Sequence, residues 1–195
     1  MQKTVKSTRE KTNFLFKNLI RGLALLVVII GGYILAKKYF EFDLEIILGP
    51  LYNQPFVIFM IFLLSEVILG IIPPEFFMLW SLRDGNISIY IENVIYLAFI
   101  SYGAGLIDYY LGAKFNKTLM YKYIKTKLLR KMERKFHKYG GFLVVVASLT
   151  PLPFSGICML VGAARYPVSK FLLISLTRLL RFCFYAYIIW ETNYL

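Results

Sequence analysis

One histidine, His137, is all the imidazole this chain of 195 residues contains, and it lies in a stretch of lysines and arginines. Histidine metal centres and imidazole acid–base pairs are therefore excluded. The apolar segments also lack any HExxH, GxSxG or paired-aspartate phosphotransferase pattern, so the expectation is that the protein is not an enzyme. Cysteine is nearly absent as well. Cys158 and Cys183 stand far apart in apolar sequence without CxxC spacing, which argues against a disulfide framework or a thiolate metal site. Both read as reduced, packed thiols. Neither a metal nor a cofactor is expected. Acid is scarce: 11 Asp and Glu face 23 Lys and Arg, for a net charge of +12. The basic residues sit beside apolar segments, so they read as topology signals and contacts to anionic lipid, and nucleic acid is not an expected partner.

What is abundant is apolar. With 58% hydrophobic residues, 17 Phe, 15 Tyr and a mean hydropathy of +0.62, the chain is an expected integral membrane protein. Its basic start followed by an apolar stretch resembles a signal peptide. The stretch runs into Lys37-Lys38 with no small-residue cleavage pattern, however, so it is read as a retained span.

A single membrane domain is expected, beginning with a basic N-terminus over 1–18 and a span over 19–36. An interrupted region over 55–82 precedes a span over 88–112, in which the small-residue run 101–105 would let another helix approach closely. A basic amphipathic helix over 114–140 follows, then an interrupted region over 142–164 and a last span over 168–190. Between Lys114 and Lys138 ten basic residues face one acid, Glu133, while Met120, Ile124, Leu128, Met132 and Phe136 recur every four residues. That pattern lays a helix on the membrane surface, either to bind lipid or only to fix orientation. Tyr39, Tyr90, Tyr109, Tyr110 and Trp190 read as interfacial anchors.

Charge bias constrains the topology. The N-terminus, with Lys3, Lys6, Arg9, Lys11, Lys17 and Arg21, and the loop from Lys114 to Lys138 should both be cytoplasmic. Three complete crossings between them would put them on opposite sides, so one region must turn back, and Pro73-Pro74 nominates 55–82. The stretch from Phe142 to Thr150 is about 14 Å of helix, which reaches only the middle of a core about 30 Å thick before Pro151 and Pro153. Two hairpins entering from opposite faces, broken at Pro73, Pro74, Pro151 and Pro153, would form an inverted arrangement of the kind transporters use. A full crossing by 55–72 with an interfacial turn is the alternative for the first.

Charges inside these segments are the candidate site. Glu66 falls near mid-membrane, where a carboxylate costs roughly 3 kcal/mol on insertion scales. Low dielectric disfavours its charged form, which would make Glu66 a proton carrier, or else it orders the bundle as half of a buried ion pair. Glu75, beside the turn, is a second proton-coupling candidate or a helix-start carboxylate. Arg178 and Arg181 project from one face of the last apolar helix and must find an anion or water. Guanidinium forks suit a lipid phosphate or permanent pairing with Glu66 or Glu75. Arg165, Thr150 and Ser155 join them as substrate-binding candidates. Asp108 is expected to reach the interface.

These pieces together resemble the DedA family of membrane proteins, also called the VTT-domain or SNARE-associated Golgi protein family. The similarity rests on Glu66 before Pro73-Pro74-Glu75, Gly103-Ala104-Gly105 with Asp108-Tyr109-Tyr110-Leu111-Gly112, Phe136 to Gly140, and Pro151 with Gly162 and Phe171. The resemblance implies an all-α integral membrane protein with three spanning helices, two oppositely oriented proline-broken re-entrant hairpins and a surface helix. It implies movement of phospholipids or polyprenyl phosphates between leaflets, in some members dependent on proton motive force. Members commonly carry two arginines around the second proline break, whereas this chain has Ser148 and Phe154 there. Arg165, Arg178 and Arg181 are the available substitutes. The expected function is thus a flippase- or scramblase-like lipid translocase in a bacterial inner membrane, N-terminus inside, with anionic lipids and protons as partners, acting alone or as an oligomer. The alternatives are a proton-coupled transporter of a small solute or anion and a non-transporting membrane organiser.

Overall fold

A computed structural model describes residues 13, 16–17, 19–32, 35, 49–68, 70, 72–115, 130–150 and 152–192, and at 115 and 130–139 the backbone only. The basic residues before 13, most of the surface-helix segment and Pro151 lie outside the described residues. Regular structure among the described residues is entirely helical. Helix α1 is Leu19–Gly32, and a short 3-10 turn at Gly49–Leu51 precedes α2, Pro55–Val67. Then come α3, Pro74–Trp80, and the long α4, Ile87–Phe115. The second half holds α5, Arg130–Leu149; α6, Phe154–Ala163; α7, Val168–Ser175; and α8, Thr177–Thr192.

Among the described residues two stretches are long and apolar enough to cross a membrane, Ile87–Lys114 and Val168–Thr192, the latter joining α7 to α8. Helix α1, expected as a third span, is shorter than this over its described residues. The expected division between a surface helix ending at 140 and an apolar limb starting at 142 is absent, because α5 runs unbroken from Arg130 to Leu149. Gly140 and Gly141 sit inside it because a Cβ at either would press on Tyr166, and at Gly141 also on Ile174. They are contact points on a continuous helix.

Local sequence explains the starts and stops. Proline opens both α2 and α3, where its missing N–H is no loss and its fixed φ suits a first turn. Helix α2 stops at Val67, and Gly70 turns the chain back with φ +64, a left-handed conformation open to glycine. Ser65 ties the turn down: its carbonyl accepts from the Gly70 N–H at 2.8 Å and its hydroxyl accepts from the Ile72 N–H at 2.8 Å.

The core has two parts that share α4. One gathers Leu26, Ile58, Phe62, Met78, Trp80, Leu97 and Phe182 from α1 to α4 and α8. The other gathers Tyr109, Val144, Cys158, Val161 and Phe171 from α4 to α7. Helices α4 and α6 meet most closely, at glycines: a Cβ on Gly112 would strike the Met159 carbonyl, and one on Gly162 the Tyr109 carbonyl. Such small-residue contact is a common way for helices to associate where water supplies no driving force.

Trp80 anchors the end of α3 on the loop before α2. Its indole N–H donates to the Tyr52 carbonyl at 2.9 Å, and the Arg83 guanidinium, which donates to the same carbonyl, stacks 4.2 Å from the indole ring. Trp80→Phe keeps the aromatic bulk but deletes the donor, so it should lower stability by about 1 kcal/mol in thermal unfolding of the detergent-solubilised protein.

Candidate functional site

The two proline breaks meet. The chain between α2 and α3 and the chain between α5 and α6 border one cavity of about 150 Å³, lined by Glu66, Glu75, Pro73, Pro74, Pro153, Phe154, Ser155, Arg178 and Arg181. A water molecule occupies about 30 Å³ of liquid, so the space suits a few waters or one phosphate-sized group.

Helix α8 brings both guanidiniums to this point, and each is paired. Arg178 Nη2 donates to Glu66 Oε2, while Arg178 Nε donates to the Ser101 hydroxyl, which itself donates to the same Glu66 oxygen at 2.7 Å. The three side chains close a ring across α2, α4 and α8. Arg181 Nη2 reaches Glu75 Oε1 at 2.7 Å and its Nη1 donates to the Thr150 carbonyl at 3.0 Å. All four charged groups are buried, with exposures of 3% for Glu66 and Arg178, 1% for Glu75 and 8% for Arg181. At such depth neither pair can be left half-made, since a lone buried ion costs several kcal/mol.

Aromatic faces complete the cage. The Arg178 guanidinium carbon lies 4.2 Å from the Phe154 ring centroid and 5.8 Å from that of Phe182, and Arg181 lies 5.0 Å from that of Tyr185. Guanidinium is weakly hydrated and planar, so it accepts such contact more readily than an ammonium does. The position where the resemblance led one to look for an arginine thus holds a ring that seats an arginine from another helix.

Each break also lends a freed carbonyl to the other half. The Ser155 hydroxyl, in the first turn of α6, donates to the Val67 carbonyl at 3.2 Å, where α2 has just ended. The Thr150 carbonyl, where α5 has just ended, is taken by Arg181. Thr150 turns its own hydroxyl back onto the Val146 carbonyl at 2.6 Å, so its backbone, not its side chain, serves the site.

Of the residues singled out from the sequence, Glu66, Glu75, Arg178, Arg181, Thr150 and Ser155 converge. Arg165 does not: it is exposed, with φ 54, in the turn between α6 and α7. Asp108, expected at the interface, is instead 1% exposed. The thiols also divide, Cys158 being buried and Cys183 exposed, so only one is packed. Ser101 and Phe154 went unnoticed as site residues. Ser101 belongs to a small-residue run whose evident use is helix packing, and nothing local marks its hydroxyl as a bridge between charges.

Two polar atoms of residues lining the cavity, Glu75 Oε2 and Arg181 Nε, lack hydrogen-bond partners among the described residues, as do Ser148 Oγ and both oxygens of Asp108 outside that lining. Spare donors and acceptors beside a cavity are what an incoming polar group would engage.

An uncharacterised protein of Methanocaldococcus jannaschii is 33% identical over 82 residues, 42% of this chain and 51% of that protein, so the chain spans about half the length of this curated relative. No solved structure matches the chain. A sequence model of the VTT domain matches residues 87–191, more than half the chain, taking in Ser101, Asp108, Ser155 and both arginines. With that match and two helices long and apolar enough to cross a bilayer, this is a membrane-associated member of the VTT-domain, or DedA, family.

Proposed function

We propose that this protein is a lipid translocase of the flippase or scramblase kind. It moves an anionic phospholipid or polyprenyl phosphate between leaflets, with the headgroup entering the cavity between the two breaks and the tails remaining in lipid. The observation that carries this reading is the pair of buried guanidinium–carboxylate contacts on one small cavity, Arg178 with Glu66 and Arg181 with Glu75. A phosphate accepts the same forked donors as a carboxylate, so an anionic headgroup can take over each guanidinium without leaving it bare.

In this reading the segments around Ile68–Pro73 and Thr150–Pro153 are the tips of hairpins entering from opposite faces, and the N-terminus is cytoplasmic in the plasma membrane. Glu66 and Glu75 hold the arginines when the cavity is empty. Released by the headgroup, they are left as unpaired carboxylates in low dielectric and take up protons, which ties transfer to the proton gradient.

The test is reconstitution in liposomes with a fluorescently labelled anionic phospholipid or polyprenyl phosphate added to one leaflet. Transfer above that of empty vesicles, lost in Arg181→Gln with the protein still folded, is the expected result. Transfer equal to empty vesicles rejects the proposal, and uptake of a soluble anion without lipid transfer would instead favour a small-anion transporter.

A further inference from the structure

Two guanidiniums face two carboxylates in the cavity, and their charges cancel. A third carboxylate, Asp108, stands near Ser155 with no ion-pair partner among the described residues. It lies on α4, 1% exposed, and neither of its oxygens has a hydrogen-bond partner among the described residues. The charged groups acting on it are Glu66 from α2 and Arg178 from α8, and these are already bonded to each other. From α6 it faces the Ser155 hydroxyl and the Cys158 thiol, and its neighbour on α4 is Tyr109, whose hydroxyl donates to the Tyr166 carbonyl. Glu75 on α3 is taken by Arg181, and Lys170 on α7 is exposed.

An ionised carboxylate only accepts hydrogen bonds; the Ser155 hydroxyl beside it is given to the Val67 carbonyl, and the Cys158 thiol is only a weak donor. A neutral carboxyl reverses the fit. Its O–H can donate to the free lone pair of Ser155 Oγ, extending the chain from Asp108 through Ser155 to the open carbonyl at the end of α2. An unpaired buried charge costs several kcal/mol and the neutral form escapes that cost. A metal cation would need several oxygen ligands, and the described residues hold no group of three or more His, Cys, Asp or Glu placed to bind one.

We propose that Asp108 is a proton-binding site, holding a proton at neutral pH and donating it as a hydrogen bond to Ser155, which leaves Glu66, Glu75, Asp108, Arg178 and Arg181 together at net zero. The proposal deepens the translocase reading by naming the group that carries a proton while the cavity is empty. Its experiment needs no transport, so the two can fail separately.

The measurement is infrared difference spectroscopy of the protein in a carbonyl-free detergent at neutral pH. A protonated carboxyl gives a carbonyl stretch well separated from the carboxylate bands. That band should be present in the wild type, lost in Asp108→Asn and retained in Glu66→Gln and Glu75→Gln. Ser155→Ala should move it to higher frequency by removing the acceptor. If Asp108→Asn does not fold, Asp108→Glu should shift the band without abolishing it. Wild-type protein with no such band, or a band that survives Asp108→Asn, overturns the proposal. A band that disappears on adding sodium chloride but not choline chloride also overturns it, in favour of a cation site.

Discussion

Arg178→Met should destabilise the protein by about 3–5 kcal/mol, seen as a large fall in the thermal midpoint of the detergent-solubilised protein. The expected loss comes from what the substitution leaves behind. Methionine fills much of the space, but Glu66 remains 3% exposed with only the Ser101 hydroxyl, among the described residues, to accept from. Glu66→Gln should cost a comparable amount, because the Arg178 charge then stands over the Phe154 ring with no anion. The double substitution Glu66→Gln with Arg178→Met removes both charges and should recover most of the stability. The difference between the double and the sum of the singles measures the coupling. Lipid transfer separates the two uses of the pair. If the guanidinium binds headgroups, the stable double variant transfers no lipid. If the pair only locks the bundle, the double variant works as the wild type does, which would favour the membrane-organiser alternative.

Gly162→Ala is the second substitution with a large expected effect. One added methyl on α6 would run into the Tyr109 carbonyl on α4, and backbone cannot swing aside as a flexible side chain can. The helices must part, and Tyr109 carries with it a ring stacked on Phe171 at 4.6 Å. Overpacking of a tight core costs about 1–3 kcal/mol, and this contact should reach the upper end or beyond. Gly112→Ala, opposite the Met159 carbonyl, should behave alike. Gly103→Ala is the control: a Cβ there meets nothing within 4 Å, so alanine should be neutral or stabilise the helix by up to about 1 kcal/mol. Thermal midpoints of the three variants in one detergent check the order.

Much of this was legible because its causes are local. Double proline at Pro73-Pro74 cannot sit in a helix interior, and α2 ends at Val67 and α3 begins at Pro74, with the left-handed Gly70 in the turn between them. Arg178 and Arg181 share a face by spacing alone. The division expected between 140 and 142 is absent because nothing there forces a stop: glycine weakens a helix without ending it, and Gly140 and Gly141 leave room for Tyr166. Depth within a span misjudged Asp108, because burial depends on which helix covers a residue, and α6 covers this one.

Hydropathy, charge sign and proline placement by themselves determined that the chain is helical, that it belongs with membranes and that it carries opposite charges in apolar surroundings, since each follows from residue type and near neighbours. Only the tertiary structure decided that Glu66 takes Arg178 and Glu75 takes Arg181, pairs separated by 112 and 106 residues. It alone decided that Ser101 closes the first pair, that Phe154 seats its guanidinium and that Asp108 is left over. Partner choice among buried charges is a matter of distance and desolvation between helices remote in sequence, and no local pattern encodes it.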